Sequence, residues 1–412
     1  VDVFGQVNGS PAGVYVNAGA SVVIIQAQPL QAGPGSISGT DSGIYNAGTI
    51  GKVINSGAIT GGDGIKVAGT GKITEIKNSG SITGTSRAGI VIERGGIVET
   101  VNNLAGGSIS SINIVDGAGI SKGITTAGNI GTIDNYGTIL SETGTAISQT
   151  AGGRITTIEN GGVIVGGDTA IRGTATLRIG NSGLIAGTTA IYTTGNNFFL
   201  DNRGIVQGGL AIFGLGSIVE NNGLVWLPDG PNATSIITGT YTQSASGALY
   251  INATSASTNG YGNLLVVGTG TATVNGEVQV VLATNHTIAA GQTLSKVVLA
   301  RTGLTGSPVV KDNSLNLDFA KVQDGTSLSL TAVTVTANGP VVVAPTTPTT
   351  PTVAAGTVTQ SGTVTVVAPG TVVTPIVSQA TDNAHRDYCA QPGSACSIPT
   401  TTQGIQQLAE NI

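Results

Sequence analysis

The chain has 412 residues and a net charge of −5, and it contains 65 glycines, whereas charged residues make up 9% and aromatic residues 3% of it. Such an acidic chain lacks the basic footprint of a nucleic-acid-binding protein, and no apolar run approaches the ~20 residues of a membrane-spanning helix. The few aromatic residues also argue against an ordinary globular core, although stacked aliphatic side chains can fill the interior of a repeat protein.

Residues 1–43 precede the most regular part of the sequence and include an aliphatic, β-branched stretch, VYVNAGASVVII. The terminal coil of a repeat protein has to cover the end of its core. We therefore interpret residues 1–43 as an N-terminal cap or as the first coils. The chain starts at Val1 without a signal-type segment, and we expect any such segment to have been removed or to be left out of this sequence.

Residues 44–240 carry an imperfect repeat: aliphatic-x-Asn-x-Gly-x-aliphatic-x-Gly, a short turn, then Ala/Gly-Ile. Apolar and variable residues alternate within the unit, which is typical of short strands separated by tight corners. A repeat length in the low twenties indicates coils that bury one continuous core. The repeat predicts an all-β fold, a right-handed parallel β-helix (solenoid). A leucine-rich repeat would need denser Leu.

The asparagines of the repeat are predicted to have a structural role. Asn and Gly tolerate left-handed backbone at corners, and stacked Asn side chains can hydrogen-bond along the axis of a solenoid. We consider a catalytic role for them the weaker alternative. The predicted ladder consists of Asn55, Asn78, Asn135, Asn160, Asn181, Asn202 and Asn221.

Basic residues concentrate between Lys52 and Arg94. If Lys66, Lys72 and Lys77 share a face, they form a candidate binding patch for an acidic glycan or a phosphate surface; the alternative is that they are solvated charges. The stretch Asn102–Asp116 breaks the spacing, and we expect a longer loop there, which would project from the rod.

The aromatic pair Phe198-Phe199 comes just before a repeat unit. We expect it to be an internal stack of rings, and a ligand platform is the alternative.

Residues 241–335 lose the Asn-Gly repeat, and their strands become longer. The pattern Tyr-x-Gln…Gly-x-Leu, followed by Leu-x-Val-x-x-Gly-x-Ala-x-Val-x-Gly, resembles the C-terminal passenger segment of classical, pertactin-like autotransporters, with Asn263 where that family usually has an acidic residue. The resemblance implies a β cap that helps to nucleate folding outside the cell. It is carried by Tyr241, Gln243, Gly247, Leu249, Leu265, Val267, Gly270, Ala272, Val274 and Gly276.

Residues 336–381 are rich in Pro and Thr, have no charged residue after Gly339, and are predicted to be an extended linker. Residues 382–412 hold Cys389 and Cys396, a candidate disulfide in an oxidising compartment, and a short predicted helix that includes Ile405 and Leu408. This tail resembles the segment that leads into an autotransporter barrel, which the sequence does not contain.

Catalytic motifs are weak in this sequence. Neither His286 nor His385 lies near a Gly-x-Ser-x-Gly elbow, and Asp63 and Asp168 occupy Gly-Gly-Asp turns several coils apart. We expect no catalytic, cofactor-binding or metal-binding residues.

The sequence thus favours a non-enzymatic passenger at the bacterial cell surface or secreted through the outer membrane. Its expected partners are a host cell surface, matrix or glycan, another copy of itself, and its own barrel, but not nucleic acid. The alternatives are a carbohydrate-active β-helix enzyme (a lyase or glycosidase) and a released effector that signals to host cells.

Overall fold

The computed structural model describes residues 2–4, 6–28, 35–111 and 122–335. Apart from one 3₁₀ turn, Gly230–Asn232, its regular elements are strands. In chain order they are β1 (Asp2–Phe4), β2 (Gln6–Gly9), β3 (Ala12–Val16), β4 (Ser21–Gln28), β5 (Ser36–Gly39), β6 (Ser42–Asn46), β7 (Thr49–Asn55), β8 (Ala58–Gly61), β9 (Asp63–Val67), β10 (Lys72–Asn78), β11 (Ser81–Gly84), β12 (Ala88–Ile92), β13 (Ile97–Asn103), β14 (Ser108–Ser111), β15 (Lys122–Thr126), β16 (Asn129–Asn135), β17 (Thr138–Ser141), β18 (Thr145–Gln149), β19 (Arg154–Asn160), β20 (Val163–Gly173), β21 (Arg178–Asn181), β22 (Leu184–Thr193), β23 (Phe199–Asn202), β24 (Ile205–Asn221), β25 (Leu224–Leu227), β26 (Thr234–Gln243), β27 (Ala248–Ala253), β28 (Asn263–Val267), β29 (Ala272–Val274), β30 (Glu277–Leu282), β31 (Thr293–Ala300), β32 (Leu304–Thr305), β33 (Val309–Asp312), β34 (Leu317–Gln323) and β35 (Ser327–Thr334).

The strands wind into a parallel β-helix whose wall has three faces, and the predicted fold class is confirmed. Each coil contributes one strand segment to each face, and every segment pairs in parallel with its equivalents in the neighbouring coils. Face 1 runs from β1 through β4, β7, β10, β13, β16, β19, β21, β23, the end of β24 and the end of β26 to β29 and β32.

Face 2 follows each face 1 segment along the chain, and face 3 follows face 2. Face 2 runs from β2 through β5, β8, β11, β14, β17, the starts of β20, β22 and β24, β25 and β27 to β30 and β33. Face 3 runs from β3 through β6, β9, β12, β15, β18, later parts of β20, β22 and β24, the start of β26 and β28 to β31.

The core is a set of aliphatic columns, one or more from each face, that run along the axis. The repeat isoleucines supply them: Ile139 on face 2, for example, stacks between Ile109 and Ile164, and all three are fully buried. Burying one such side chain stabilises the fold by about 1.5–3 kcal/mol. Of the aromatic pair, Phe198 lies in this core, whereas Phe199 is half-buried on the outside, with the Arg178 guanidinium 4.2 Å from its ring centroid.

The irregular spacing of the repeat after Asn102 predicted a projecting loop, but the chain remains in the coil there. Asn103 pairs with Asn78 and Asn135 in register, and β14 continues face 2 as far as Ser111. Only Ala105 and Gly106 are added to this corner, because Asn103-x-x-x-Gly107 replaces the usual Asn-x-Gly. The prediction of a loop was therefore wrong for residues 102–111, and residues 112–121 lie outside the described residues.

Parallel strand pairing continues to β33, and the strands at the end of the rod then pair antiparallel. β35 pairs antiparallel with β31 of face 3 and with β34. Leu328 and Leu330 of β35 are fully buried and belong to the core, so this antiparallel pair covers the last coil. The proposed linker, residues 336–381, and the tail with Cys389 and Cys396 lie outside the described residues.

Candidate functional site

The candidate lysine patch lies on two faces. Lys66 is on β9 of face 3, whereas Lys72 and Lys77 lie at opposite ends of β10 on face 1. Lys66 forms an ion pair with Glu93 at 2.9 Å, and Lys72 forms one with Glu99 at 2.7 Å. Hydrogen bonding to Glu93 raises the pKa of Lys66. Two of the three ammonium groups are thus paired with carboxylates of the next coil.

The asparagine ladder forms the corner between faces 1 and 2. The Asn135 side-chain amide donates to Oδ1 of Asn160 at 2.8 Å and to the carbonyl oxygen of Val163 at 3.1 Å, and the Asn160 amide repeats this one coil on. All seven predicted asparagines take part, and the structure adds Asn103 between Asn78 and Asn135. The ladder side chains are at most 3% exposed, so they are not accessible to a ligand.

The glycine of each Asn-x-Gly corner is required by close packing rather than by its backbone conformation. Among the described residues, no ladder asparagine and none of these corner glycines has a positive φ angle. The expectation of left-handed backbone at the corners was therefore wrong. A methyl group on Gly183 would instead overlap the carbonyl oxygen of Gly162 in the preceding coil. Only glycine lets successive corners stack this closely.

The Tyr241-x-Gln243 pair of the C-terminal motif ends the ladder. Gln243 follows Asn221 in register, and Val274 follows Gln243. The longer Gln243 amide donates to the carbonyl oxygens of Asn275 at 2.6 Å and Glu277 at 2.8 Å, while the Tyr241 hydroxyl donates to Gln243 Oε1 at 2.9 Å. Complete burial raises the pKa of Tyr241 far above its ordinary value, so this hydroxyl stays protonated. The pair therefore satisfies the last polar groups of the ladder.

An acidic column runs beside the ladder on the outer surface of face 1. Its members occupy the position immediately before a ladder asparagine in successive coils, with Gly180 in place of an acid in one coil. These carboxylates do not look like a cluster in the sequence because they are 19 to 42 positions apart. The signal was the repeated pair acid-Asn. The column consists of Asp134, Glu159, Asp201 and Glu220.

Gly180 opens a groove of about 310 Å³ in this column. Glu159, Gly180 and Asp201 stack in register on three successive coils. The Glu159 carboxylate lies over Gly180, so that a Cβ atom at position 180 would overlap it. We call this feature the Tyr136 groove; it is lined by Tyr136, Glu159, Asn160, Gly161, Gly180, Asn181, Ser182, Asp201 and Arg203.

The wall of the groove on the corner side combines an aromatic ring with charges. Tyr136 is 60% exposed, and its ring lies over Gly161 of the next coil, 2.9 Å from where a Cβ there would be. Two coils further, Arg203 forms an ion pair with Asp201 at 3.0 Å, and its side chain remains 71% exposed. The Tyr136 groove thus presents an aromatic face, two carboxylates and a guanidinium within one shallow, open surface.

The two carboxylates of the Tyr136 groove are well separated, and one of them is paired with a cation. Glu159 and Asp201 are two coils apart, about 9–10 Å between backbones at the usual strand spacing, but the Asp201 carboxylate is already held by Arg203. Within the described ranges, no group of three or more His, Cys, Asp or Glu side chains is arranged to hold a metal ion.

Neither of the two Gly-Gly-Asp aspartates lines the Tyr136 groove. Asp63 is 1% exposed and pairs with Arg87 at 2.9 Å, and burial raises its pKa although Arg87 opposes this shift. Asp168 is exposed and accepts a hydrogen bond from Thr169 at 3.2 Å. The structure does not bring the two together, so they do not form a paired-acid site.

Of the two histidines, His286 follows β30 in a turn, and His385 lies outside the described residues, as does the candidate disulfide Cys389–Cys396. No helix in the described part of the chain is long and apolar enough to cross a bilayer. Comparison of the chain with protein-family models found no match, and comparison with curated proteins found none either.

Proposed function

We propose that the chain is a non-enzymatic attachment protein that acts outside the cell and binds glycan-bearing host or matrix surfaces through the Tyr136 groove. The observation that carries this proposal is the juxtaposition of an exposed tyrosine ring with two carboxylates and a guanidinium on a rigid wall. These groups stand on three of four successive coils held by the asparagine ladder, so little ordering is needed for binding.

The chemistry of the groove fits a saccharide. The face of an aromatic ring packs against the C–H face of a pyranose, and its hydroxyl remains available for hydrogen bonding. Carboxylates accept hydrogen bonds from sugar hydroxyls, and Arg203 donates to ring and hydroxyl oxygens. An open groove takes a few sugar units of a longer chain, so single-site affinity is modest and attachment depends on multivalency.

The same proposal includes export as an autotransporter passenger. It is supported by the resemblance of residues 241–276 to that family and by the physical role of Tyr241 and Gln243 in ending the ladder. A rod stabilised by identical local coils can fold progressively from one end, which suits a chain that emerges from a pore. Under this proposal, the protein acts at the bacterial surface or in the medium.

A second candidate function is glycan cleavage, which the carboxylates Glu159 and Asp201 in one groove favour. Inverting glycosidases hold two carboxyl groups about 6.5–9.5 Å apart. The ion pair between Arg203 and Asp201 and the openness of the groove weigh against it, since a general acid works best in a water-poor site.

The proposal is tested by measuring binding of the full chain to a glycan array and to cultured cells. Tyr136→Ala removes the aromatic face, and a Glu159→Gln, Asp201→Asn double variant removes both charges while keeping the side-chain volume. The matched controls are Lys77→Gln and Ser79→Ala, which occupy the same two surface columns nearer the N-terminus. Reducing-end release from any bound glycan is followed in parallel.

We expect saturable binding that falls at least tenfold in Tyr136→Ala and in the double variant and is unchanged in both controls. Binding that is the same in all variants would contradict the proposal. Cleavage of a bound glycan that is lost in the double variant would replace it by the enzymatic alternative.

A further inference from the structure

The corner between face 3 and face 1 carries exposed apolar side chains in the coil formed by β24. Phe213 and Ile218 stand at the two ends of this corner and Leu215 lies between them; they are 44%, 41% and 64% exposed. The preceding coil extends this surface, because Tyr192 packs edge-on against Phe213 with ring centroids 5.8 Å apart, and Phe199 pairs with Ile218. We call this surface the corner ridge; it consists of Tyr192, Phe199, Phe213, Leu215 and Ile218.

The backbone holds Leu215 in its exposed position. Its N–H donates to Oδ1 of Asn196 at 2.9 Å, and its carbonyl oxygen accepts a hydrogen bond from the Asn197 N–H at 2.8 Å. Both asparagines belong to the same corner of the preceding coil. The turn continues through Gly216, whose φ of +70° is one that glycine adopts without strain. Single exposed apolar residues are common on proteins, but adjoining ones on a fixed backbone mark an interaction surface.

Two arginines flank the corner ridge, and each stacks on an aromatic ring of the next coil. The Arg172 guanidinium lies 4.6 Å from the ring centroid of Tyr192, and the Arg178 guanidinium lies 4.2 Å from that of Phe199. Both arginines are exposed, and neither forms an ion pair within the described part of the chain. A guanidinium that lies flat on a ring keeps the N–H groups of its edge free, and this planar fork matches a phosphate.

The acidic column borders the corner ridge on face 1 without pairing with these arginines. Asp201 and Glu220 lie two positions beyond Phe199 and Ile218 along their strands, and Asp201 forms its ion pair with Arg203. The two positive charges beside the ridge are therefore available to an external anion.

The shape of the corner ridge favours a lipid surface as its partner. The ridge is convex because it follows a corner of the coil, whereas sites for small molecules are concave. A fluid bilayer can accommodate a projecting ridge: apolar side chains enter the boundary between headgroups and acyl chains, and arginines remain at the level of the phosphates. Tyrosine rings such as that of Tyr192 also favour this boundary.

We propose that the corner ridge docks the rod on a bilayer of anionic phospholipid. Phe213 and Leu215 enter the headgroup layer, and Arg172 and Arg178 bind lipid phosphates. The apolar side chains and the two unpaired guanidinium groups thus match the two parts of such a lipid. The Tyr136 groove lies at the opposite edge of face 1, at the corner with face 2, so a docked rod leaves it open. This contact does not depend on glycan binding by the groove.

The test is co-sedimentation of the full chain with extruded vesicles of phosphatidylcholine alone, or of phosphatidylcholine and phosphatidylglycerol in equal amounts. One variant combines Phe213→Ser with Leu215→Ser, and a second combines Arg172→Gln with Arg178→Gln. The matched controls on face 1 are Val23→Ser, an apolar residue that is 80% exposed, and Arg154→Gln, an exposed arginine. Circular dichroism verifies that each variant is folded, and gel filtration gives its oligomeric state.

We expect binding to the anionic vesicles that is at least tenfold weaker in the Phe213→Ser, Leu215→Ser variant and severalfold weaker in the double arginine variant. Both controls should bind like the wild-type chain, and vesicles of phosphatidylcholine alone should bind it weakly. Equal binding by the ridge variants and the controls would overturn the proposal, as would a folded wild-type chain that binds neither kind of vesicle. A dimer that is lost in the Phe213→Ser, Leu215→Ser variant, without vesicle binding, would instead assign the ridge to a contact between two copies.

Discussion

The asparagine ladder predicts a large loss of stability when one of its central members is truncated. In Asn160→Ala, the Asn135 side-chain amide loses its acceptor at 2.8 Å, and Oδ1 of Asn181 loses its donor at 2.8 Å. Neither group can turn to water, because Asn135 is fully buried and Asn181 is only 3% exposed. The substitution therefore leaves two buried polar groups without these partners.

The magnitude follows from the cost of such groups. A buried donor or acceptor left unsatisfied costs about 1–3 kcal/mol, so Asn160→Ala should reduce the free energy of unfolding by about 2–6 kcal/mol. The matched control is Asn222→Ala at an exposed corner three coils further along, where only a weak 3.4 Å bond to Asp201 is lost; its expected effect is below about 0.5 kcal/mol.

Urea unfolding of the full chain, followed by far-ultraviolet circular dichroism, measures the difference. We expect a clearly lower midpoint for Asn160→Ala and a midpoint near that of the wild-type protein for Asn222→Ala. If both variants unfold at the wild-type midpoint, the ladder does not stabilise the coil and the argument from buried hydrogen bonds is refuted.

Three further predictions concern the wall of the rod. Gly183→Ala should lower the urea midpoint strongly, because its methyl group would overlap the backbone of the preceding coil. The control Gly325→Ala should have little effect, because a methyl group there has no atom within 4 Å. Equal midpoints for the two variants would disprove close packing as the reason for the corner glycines. Arg87→Ala should cost about 2 kcal/mol at pH 7 because it leaves the buried Asp63 carboxylate without its cation. Burial already raises the pKa of Asp63 in the folded state, so the stability lost in Arg87→Ala should become smaller as pH falls through that pKa and Asp63 becomes neutral. Urea midpoints of both proteins measured from pH 7 to pH 4 check this. A stability difference that grows on acidification would contradict it. Tyr241→Phe should lower stability by about 1–3 kcal/mol because the end of the ladder loses a buried hydrogen bond; no change in the unfolding midpoint would show that the hydroxyl is dispensable.

The fold could be predicted because its cause is local and repeated. Every coil has inward aliphatic residues such as Ile139, and the coils from Asn55 to Asn221 each have one ladder asparagine such as Asn135; both recur at nearly constant spacing. Asn103 was missed because two added residues, Ala105 and Gly106, disguise its corner, yet the coil absorbs them without losing register. A strict spacing rule fails where a corner tolerates an insertion.

The site was harder to predict because it depends on stacking between coils. Glu159 and Asp201 are distant in sequence, and they line the same groove only because the coils stack in register. This could not be predicted without the pairing register of the strands. Lys66 and Lys72 are close in sequence, yet a corner separates them onto two faces. Aligning the repeat units by their asparagines would have revealed the acidic column.

The most direct test of the proposed function is a crystal structure of the chain with an oligosaccharide taken from its strongest glycan-array signal. The account predicts a sugar ring packed on Tyr136, with its hydroxyl groups hydrogen-bonded to Glu159, Asp201 or Arg203. A glycan bound with full occupancy elsewhere on the rod, with the Tyr136 groove empty, would contradict it.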